Sequence, residues 1–140
     1  MSYQIRPMTD ADIASARELW SNAEGVELAE GDNAEEIARF LARNPGLSTV
    51  ATDETGAVIG AVMCGQDGRR GYAYHLAVGG GYRGQGVGRA IMQRSLAELK
   101  RTGVRRALLL VEADNDAGKH FWMREGWEEM PFAQPMGIDL

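Results

Sequence analysis

The chain has 140 residues, 44% of them hydrophobic and 25% charged, a balance ordinary for one folded domain with a sizeable core. Fifteen Lys and Arg against twenty Asp and Glu give a formal charge of −5. That argues against nucleic acid, whose binding rests on phosphate neutralisation by Lys and Arg, and favours a cationic partner. No apolar run approaches the ~20 residues that cross a bilayer, so no membrane partner is expected. The N-terminus lacks the basic-then-apolar layout of a signal peptide, and the single Cys64 fits a reducing compartment, so the expected location is cytoplasmic.

"YQIRPM" (Tyr3 to Met8) is a short strand candidate ended by Pro7. Thr9 followed three residues later by Asp12 has the form of a capping box. Ile13, Ala16, Leu19 and Trp20 then repeat at helical spacing. A second helix spans Asn33 to Arg43 with Ile37, Phe40 and Leu41 on one face, and "NPG" stops it. The connection between these helices, "AEGVELAEGDNAEE", holds much of the acidic excess, including Glu24, Glu27, Glu30 and Asp32.

From Leu47 to Val78 the turn signals "DETG" and "QDG" divide three β-branched or aromatic segments, which predicts an antiparallel meander. Strand alternation sets Tyr72, Tyr74, Leu76 and Val78 on one face of its last strand and His75 on the other. Cys64, within "AVMCG", reads as a small apolar strand residue. After a glycine-rich connection, "VGRAIMQRSLAELKR" reads as a helix. "RALLLVEA" reads as a strand buried on both faces, as parallel strands usually are. "AGKHFWMRE" is a short helix, and "GWEEM" and "PMGIDL" are candidates for a last pair of strands. The expected fold is a single α/β domain over residues 1–140: a mostly antiparallel mixed sheet with one parallel strand–helix–strand crossover.

The crossover opens with "HLAVGGGYRGQGVGRAIM", in which six of eighteen residues are glycine. Glycine between a strand and a helix N-terminus lets an anion approach unpaired N–H groups and the positive end of the helix dipole. Arg83 and Arg89 add charge there. A Walker-type loop needs Lys and then Ser or Thr after its last glycine, whereas Arg89 and Ala90 follow Gly88. Gly79, Gly81 and Gly84 do spell a dinucleotide fingerprint, with Glu112 where a ribose-binding acid would sit. Against that reading, the unit lies mid-chain behind a meander, and the chain is too short for two mononucleotide-binding halves.

Coenzyme A is the third ligand, and here the residues carry a resemblance. "YRGQGVGRAIM" resembles the acetyl-CoA signature of the GNAT superfamily of N-acetyltransferases, with Arg83, Gly86 and Gly88 at its fixed positions. "YHLAV" resembles that family's strand before the loop, "RALLLVEADN" the strand after the helix, and "NDAGKHFWMREGW" its Asn-containing segment and short helix. The likeness covers essentially the whole chain and is strongest to small bacterial acetyltransferases.

The resemblance implies that acetyl-CoA is the acetyl donor and that no metal takes part. It implies that backbone amides of Arg83, Gly84, Gln85, Gly86, Val87, Gly88 and Arg89 hold the pyrophosphate. The pantetheine arm then pairs with Leu76, Ala77 and Val78 where flanking strands splay apart, and Asn115 helps hold the cofactor. For the base, Glu112 is the first candidate, with Tyr74 orienting a water and His75 less favoured. Where the family has a thiol-protonating Tyr, this chain has Trp122, whose indole can donate a hydrogen bond but delivers no proton. The first two helices wall the acceptor site in relatives, which makes Trp20, Glu24 and Glu27 substrate-binding candidates for a cationic amine. A small amine metabolite or amino-acid-like acceptor is the leading expectation, ahead of a protein N-terminus or lysine. A non-catalytic acyl-CoA sensor and a dinucleotide-binding oxidoreductase are the rivals, and a homodimer is left open.

Overall fold

β1 (Gln4–Pro7), β2 (Thr49–Thr52), β3 (Val58–Gln66), β4 (Gly71–Val78) and β5 (Ala107–Leu109) form one sheet in that order. β1 to β4 pair antiparallel, and β4 pairs with β5 in parallel. The computed structural model describes residues 2–140, which divide into two units, the first ending at Leu110 and the second running from Val111 to Leu140. The whole sheet lies in the first, with α1 (Ile13–Ser21), α2 (Ala34–Arg43) and α3 (Val87–Arg101). The expected meander with one parallel crossover is therefore present.

Local chemistry accounts for the helix starts. The Thr9 N–H donates to Asp12 Oδ2 at 2.8 Å, and one turn of 3-10 helix, Asp10–Asp12, leads into α1. At α2, Asn33 Oδ1 accepts from the Glu36 N–H at 2.8 Å while Glu36 Oε1 accepts from the Asn33 N–H at 3.1 Å. Each box satisfies donors that a helix leaves orphaned. α1 and α2 lay Ile13, Ala16, Trp20, Ile37 and Leu41 against Val50, Ala61, Met63 and Ala77 of the sheet.

α3 packs on the opposite face and comes close at two glycines. A Cβ at Gly60 would stand 2.7 Å from Ile91 Cδ1, and one at Gly71 would stand 2.8 Å from Leu99 Cδ1. Cys64 is buried beside Leu99, as expected of a small core residue, and burial pushes its thiol up to about 12.

Two strands differ from their expected form. In β4, Ala61 pairs with Ala77 but Met63 pairs with Tyr74, so two steps on β3 face three on β4. This is a β-bulge, and within it His75 takes a left-handed φ of 61°. The extra residue reverses the alternation. Tyr74 shares its face with Ala77 rather than with Leu76, and the His75 ring centroid lies 5.5 Å from that of Trp20 and 6.5 Å from that of Tyr74. β5 covers only Ala107–Leu109, is half-buried rather than enclosed on both faces, and leaves Leu110 76% exposed. It is an edge strand, paired with β4 only from Gly71 to Ala73.

The second unit holds α4 (Asp116–Arg124), capped by Asn115, whose Oδ1 accepts from the Gly118 N–H at 2.9 Å. No strand forms in "GWEEM" or "PMGIDL", contrary to expectation, among the described residues. Pro131 and Pro135 remove ladder donors, and residues 128–140 are exposed, with no apolar face buried to hold a strand in place.

Candidate active site

β4 ends by tying the Gly79 N–H to the Ile59 carbonyl at 2.8 Å, and a single 3-10 turn, Gly80–Tyr82, opens the glycine loop. Arg83 Nε donates back to the Val78 carbonyl at 3.3 Å, and Gln85 Nε2 to the Gly81 carbonyl at 3.3 Å, bracing the loop at both ends. Gly84 and Gly86 adopt left-handed φ values of 77° and 80°, which an L side chain resists. Gly86 is the N-cap of α3, and the first bond into the helix is donated by Ala90 to the Gly86 carbonyl. The Val87 and Gly88 amides precede that bond, and no side chain caps the helix among the described residues.

A Cβ at Gly80, Gly81, Gly84 or Gly86 would meet nothing within 4 Å. The chain itself does not crowd these glycines. Two of them are required by backbone conformation, and the space above all four is open. Successive amides in alternating handedness, at an uncapped helix N-terminus with Arg83 and Arg89 exposed alongside, fit a phosphate-bearing ligand. The cradle therefore suits the diphosphate of coenzyme A.

Leu76, Ala77 and Val78 follow the bulge. They pair with β3 on one side, while β5 reaches only as far as Ala73 on the other. That side of β4 thus carries backbone donors and acceptors beyond the last parallel pair, an edge that an amide-bearing arm can satisfy. Tyr74, at the start of this stretch, keeps 38% of its surface exposed. Its ring stacks on Tyr72 (centroids 6.2 Å apart) and meets Phe40 of α2 edge-on at 6.0 Å. Burial, and then the neighbouring Tyr72 and Asp67, push the Tyr74 phenol above its ordinary value. At neutral pH it is a hydrogen-bond donor, not a base.

Beside it, His75 Nε2 lies 3.0 Å from Asp32 Oδ2. Asp32 sits in the α1–α2 connection, where the same oxygen accepts from the Ala29 N–H at 2.9 Å and its carbonyl accepts from Arg17 Nε at 3.0 Å. The sequence marks Asp32 only as one acid among many. Its partner is 43 positions away, so no local spacing announces the pair.

Trp20, a candidate for the acceptor wall, lies on the sheet-facing side of α1. It is fully buried, with its indole N–H donating to the Ala61 carbonyl at 3.3 Å, because its position on α1 points it into the sheet. Glu24 and Glu27 are exposed on the connection, whose Val26 and Leu28 pack against the core that contains Ala77.

In the second unit, Glu112 is exposed and lies beyond β5 rather than at a strand end, with its carbonyl accepting from the Asn115 N–H at 3.0 Å. Asn115 is held by its capping bond, and a Cβ on Gly118 would stand 2.5 Å from its Nδ2. Trp122 meets Phe121 and Trp127 edge-on, with centroids 5.0 and 5.4 Å away.

Comparison with known proteins agrees with the fold. The profile of the acetyltransferase (GNAT) family matches residues 13–127. An acetyltransferase of Sodalis glossinidius, SG1711, is 35% identical over 114 residues, spanning 81% of this chain and 79% of that protein. The PaiA N-acetyltransferase of Thermoplasma acidophilum, solved in complex with coenzyme A, superposes with a TM-score of 0.77 at 19% identity over 91% of both chains. The ribosomal-protein-S18-alanine N-acetyltransferase of Escherichia coli superposes with a TM-score of 0.77 at 22% identity, over 92% of this chain and 79% of that one. These matches replace the dinucleotide reading of Gly79, Gly81 and Gly84. The chain belongs to the GNAT family of acetyltransferases, enzymes that transfer acetyl from acetyl-CoA.

Proposed function

We propose that this acetyltransferase modifies the primary amine of a small cationic metabolite or amino-acid-like acceptor. The observation that carries this reading is the exposed acidic connection between α1 and α2. Glu24 and Glu27 face solvent there, while Val26 and Leu28 anchor the segment to the core containing Ala77 of the cofactor strand. Exposed carboxylates attract an ammonium, and with Trp20 buried the aromatic contact falls to the exposed ring of Tyr74.

When bound, acetyl-CoA supplies an acetyl group activated as a thioester. The backbone from Arg83 to Arg89 would hold its diphosphate. The Leu76–Val78 edge would pair with its amide-bearing arm, and an amide of that edge would steady the negative charge that develops on the carbonyl oxygen. Asn115 is proposed as a further cofactor contact. Tyr74 is proposed as the donor that orients a water, and the base is either Glu112 or a residue of the bulged β4. Trp122 can donate a hydrogen bond to sulfur but supplies no proton.

A protein α-amine is the second reading, favoured by the fold neighbour that acts on the alanine of ribosomal protein S18. Acetyl-CoA-dependent thiol release, measured across small polyamines, amino acids and N-terminal peptides, tests both. Turnover with small cations, and a rise in acceptor KM in Glu24→Gln and Glu27→Gln without loss of CoA affinity, supports the first. Turnover confined to peptides favours the second. CoA binding without thiol release for any amine leaves an acyl-CoA sensor.

A further inference from the structure

We infer that His75 and Asp32 form the proton-accepting pair of this enzyme, with His75 as general base and Asp32 as its positioning residue. The inference deepens the acetyl-transfer reading and rests on it. Three independent features meet at His75.

The first is backbone strain. His75 is the only non-glycine residue with positive φ among the described residues, at 61°. A left-handed conformation costs an L-residue about 1–2 kcal/mol, and such outliers persist where the surroundings over-determine them, often at functional sites. The second is position. The strained residue sits in the β4 bulge, two residues beyond the last β4–β5 pair at Ala73 and directly before the Leu76–Val78 edge.

The third is the partner. The side chains of His75 and Asp32 are 19% and 11% exposed, whereas neighbouring Tyr74 is 38% exposed as a residue. The pair is thus largely covered, beside a residue that keeps more than a third of its surface open. Asp32 Oδ2 at 3.0 Å from Nε2 selects the tautomer with the proton on Nε2 and leaves the Nδ1 lone pair as the basic site. Among the described residues, the groups against the ring include Asp32 from the connection, with Arg17 of α1 bound to its carbonyl, uncharged Trp20 of α1, and Tyr74 of β4. Glu112, by contrast, is exposed and lies in the second unit.

The proton count closes. The acceptor ammonium gives one proton to His75 Nδ1, directly or through one water, and the imidazolium returns it to solvent. The freed nitrogen lone pair forms the amide C–N bond as the C–S bond breaks and sulfur leaves with the electron pair. The second nitrogen proton ends on sulfur.

The test uses the full-length protein with whichever amine gives the fastest thiol release. His75→Gln is expected to lower kcat at neutral pH by about a hundredfold or more while leaving CoA affinity within twofold. Its rate should climb steadily with pH, since hydroxide must replace the base, and the loss should shrink for acceptors of low amine pKa. Asp32→Asn should lower kcat by about tenfold and move the acid limb of the profile. Because Asp32 also ties down the connection, nitrogen-15 NMR of His75 in the wild type gives a readout that needs no variant: protonation on Nε2 is expected. Wild-type kcat and pH profile in His75→Gln, or a proton resident on Nδ1, overturns the pair while acetyl transfer stands. Failure of the wild type to release thiol with any amine overturns both.

Discussion

The indole N–H of Trp20 donates to the carbonyl of Ala61, 41 residues away, at 3.3 Å. Ala61 is paired with Ala77 just past the bulge, so this bond fixes α1 against the strand pair that carries the candidate site. Trp20→Phe removes the donor and leaves a buried gap, and is expected to cost about 1–3 kcal/mol of stability. Denaturant unfolding measures it. Acceptor KM should stay within twofold, and a large rise would return Trp20 to the substrate wall.

Gly86 holds a φ of 80° at the N-cap of α3, with open space where a side chain would go. Gly86→Ala therefore acts through the backbone alone. The left-handed penalty of about 1–2 kcal/mol is expected to appear as roughly five- to thirtyfold weaker CoA binding by calorimetry, as the loop relaxes away from its cradle. Unchanged affinity would mean that these amides do not grip the diphosphate.

Trp122 stands where the resemblance leads one to expect a thiol-protonating Tyr. Trp122→Tyr is expected to keep turnover or raise it in a thiol-release assay. Its edge-on contacts with Phe121 and Trp127 set the competing outcome: if affinity and rate both collapse, the indole has its own packing or substrate role.

Arg6 grips Asp12 through two bonds of 2.7 and 2.8 Å, and the guanidinium, with the Thr9 N–H, holds the Asp12 carboxyl below its ordinary value. A carboxylate depressed in the folded state stabilises above its unfolded pKa, and that contribution is lost as pH falls through the folded one. Arg6 is 40% exposed, so the screened contribution is about 1 kcal/mol. Asp12→Asn should lose it at pH 7 and lose little more by pH 2 than at pH 7 from this position, whereas the parent's advantage over the variant disappears on acidification. Chemical denaturation at both pH values checks the sign.

Much of the molecule follows from short-range chemistry and is legible in the sequence. The Thr9–Asp12 box starts a helix because the interacting groups lie three residues apart. The "DETG" and "QDG" turns order the meander, and Gly84 and Gly86 mark a backbone that only glycine enters without penalty. Those features carried the fold and the cofactor loop.

What the sequence left undecided depends on partners far along the chain. Alternation put His75 and Tyr74 on opposite faces, and one inserted residue in β4 reversed that, since a bulge flips every side chain beyond it. Trp20 looked available to a ligand until α1 turned it into the sheet. β5 looked enclosed until its place at the edge exposed Leu110. Asp32 and His75, 43 residues apart, meet only because a connection, a helix and a bulged strand converge, and such contacts leave no periodic trace in the sequence.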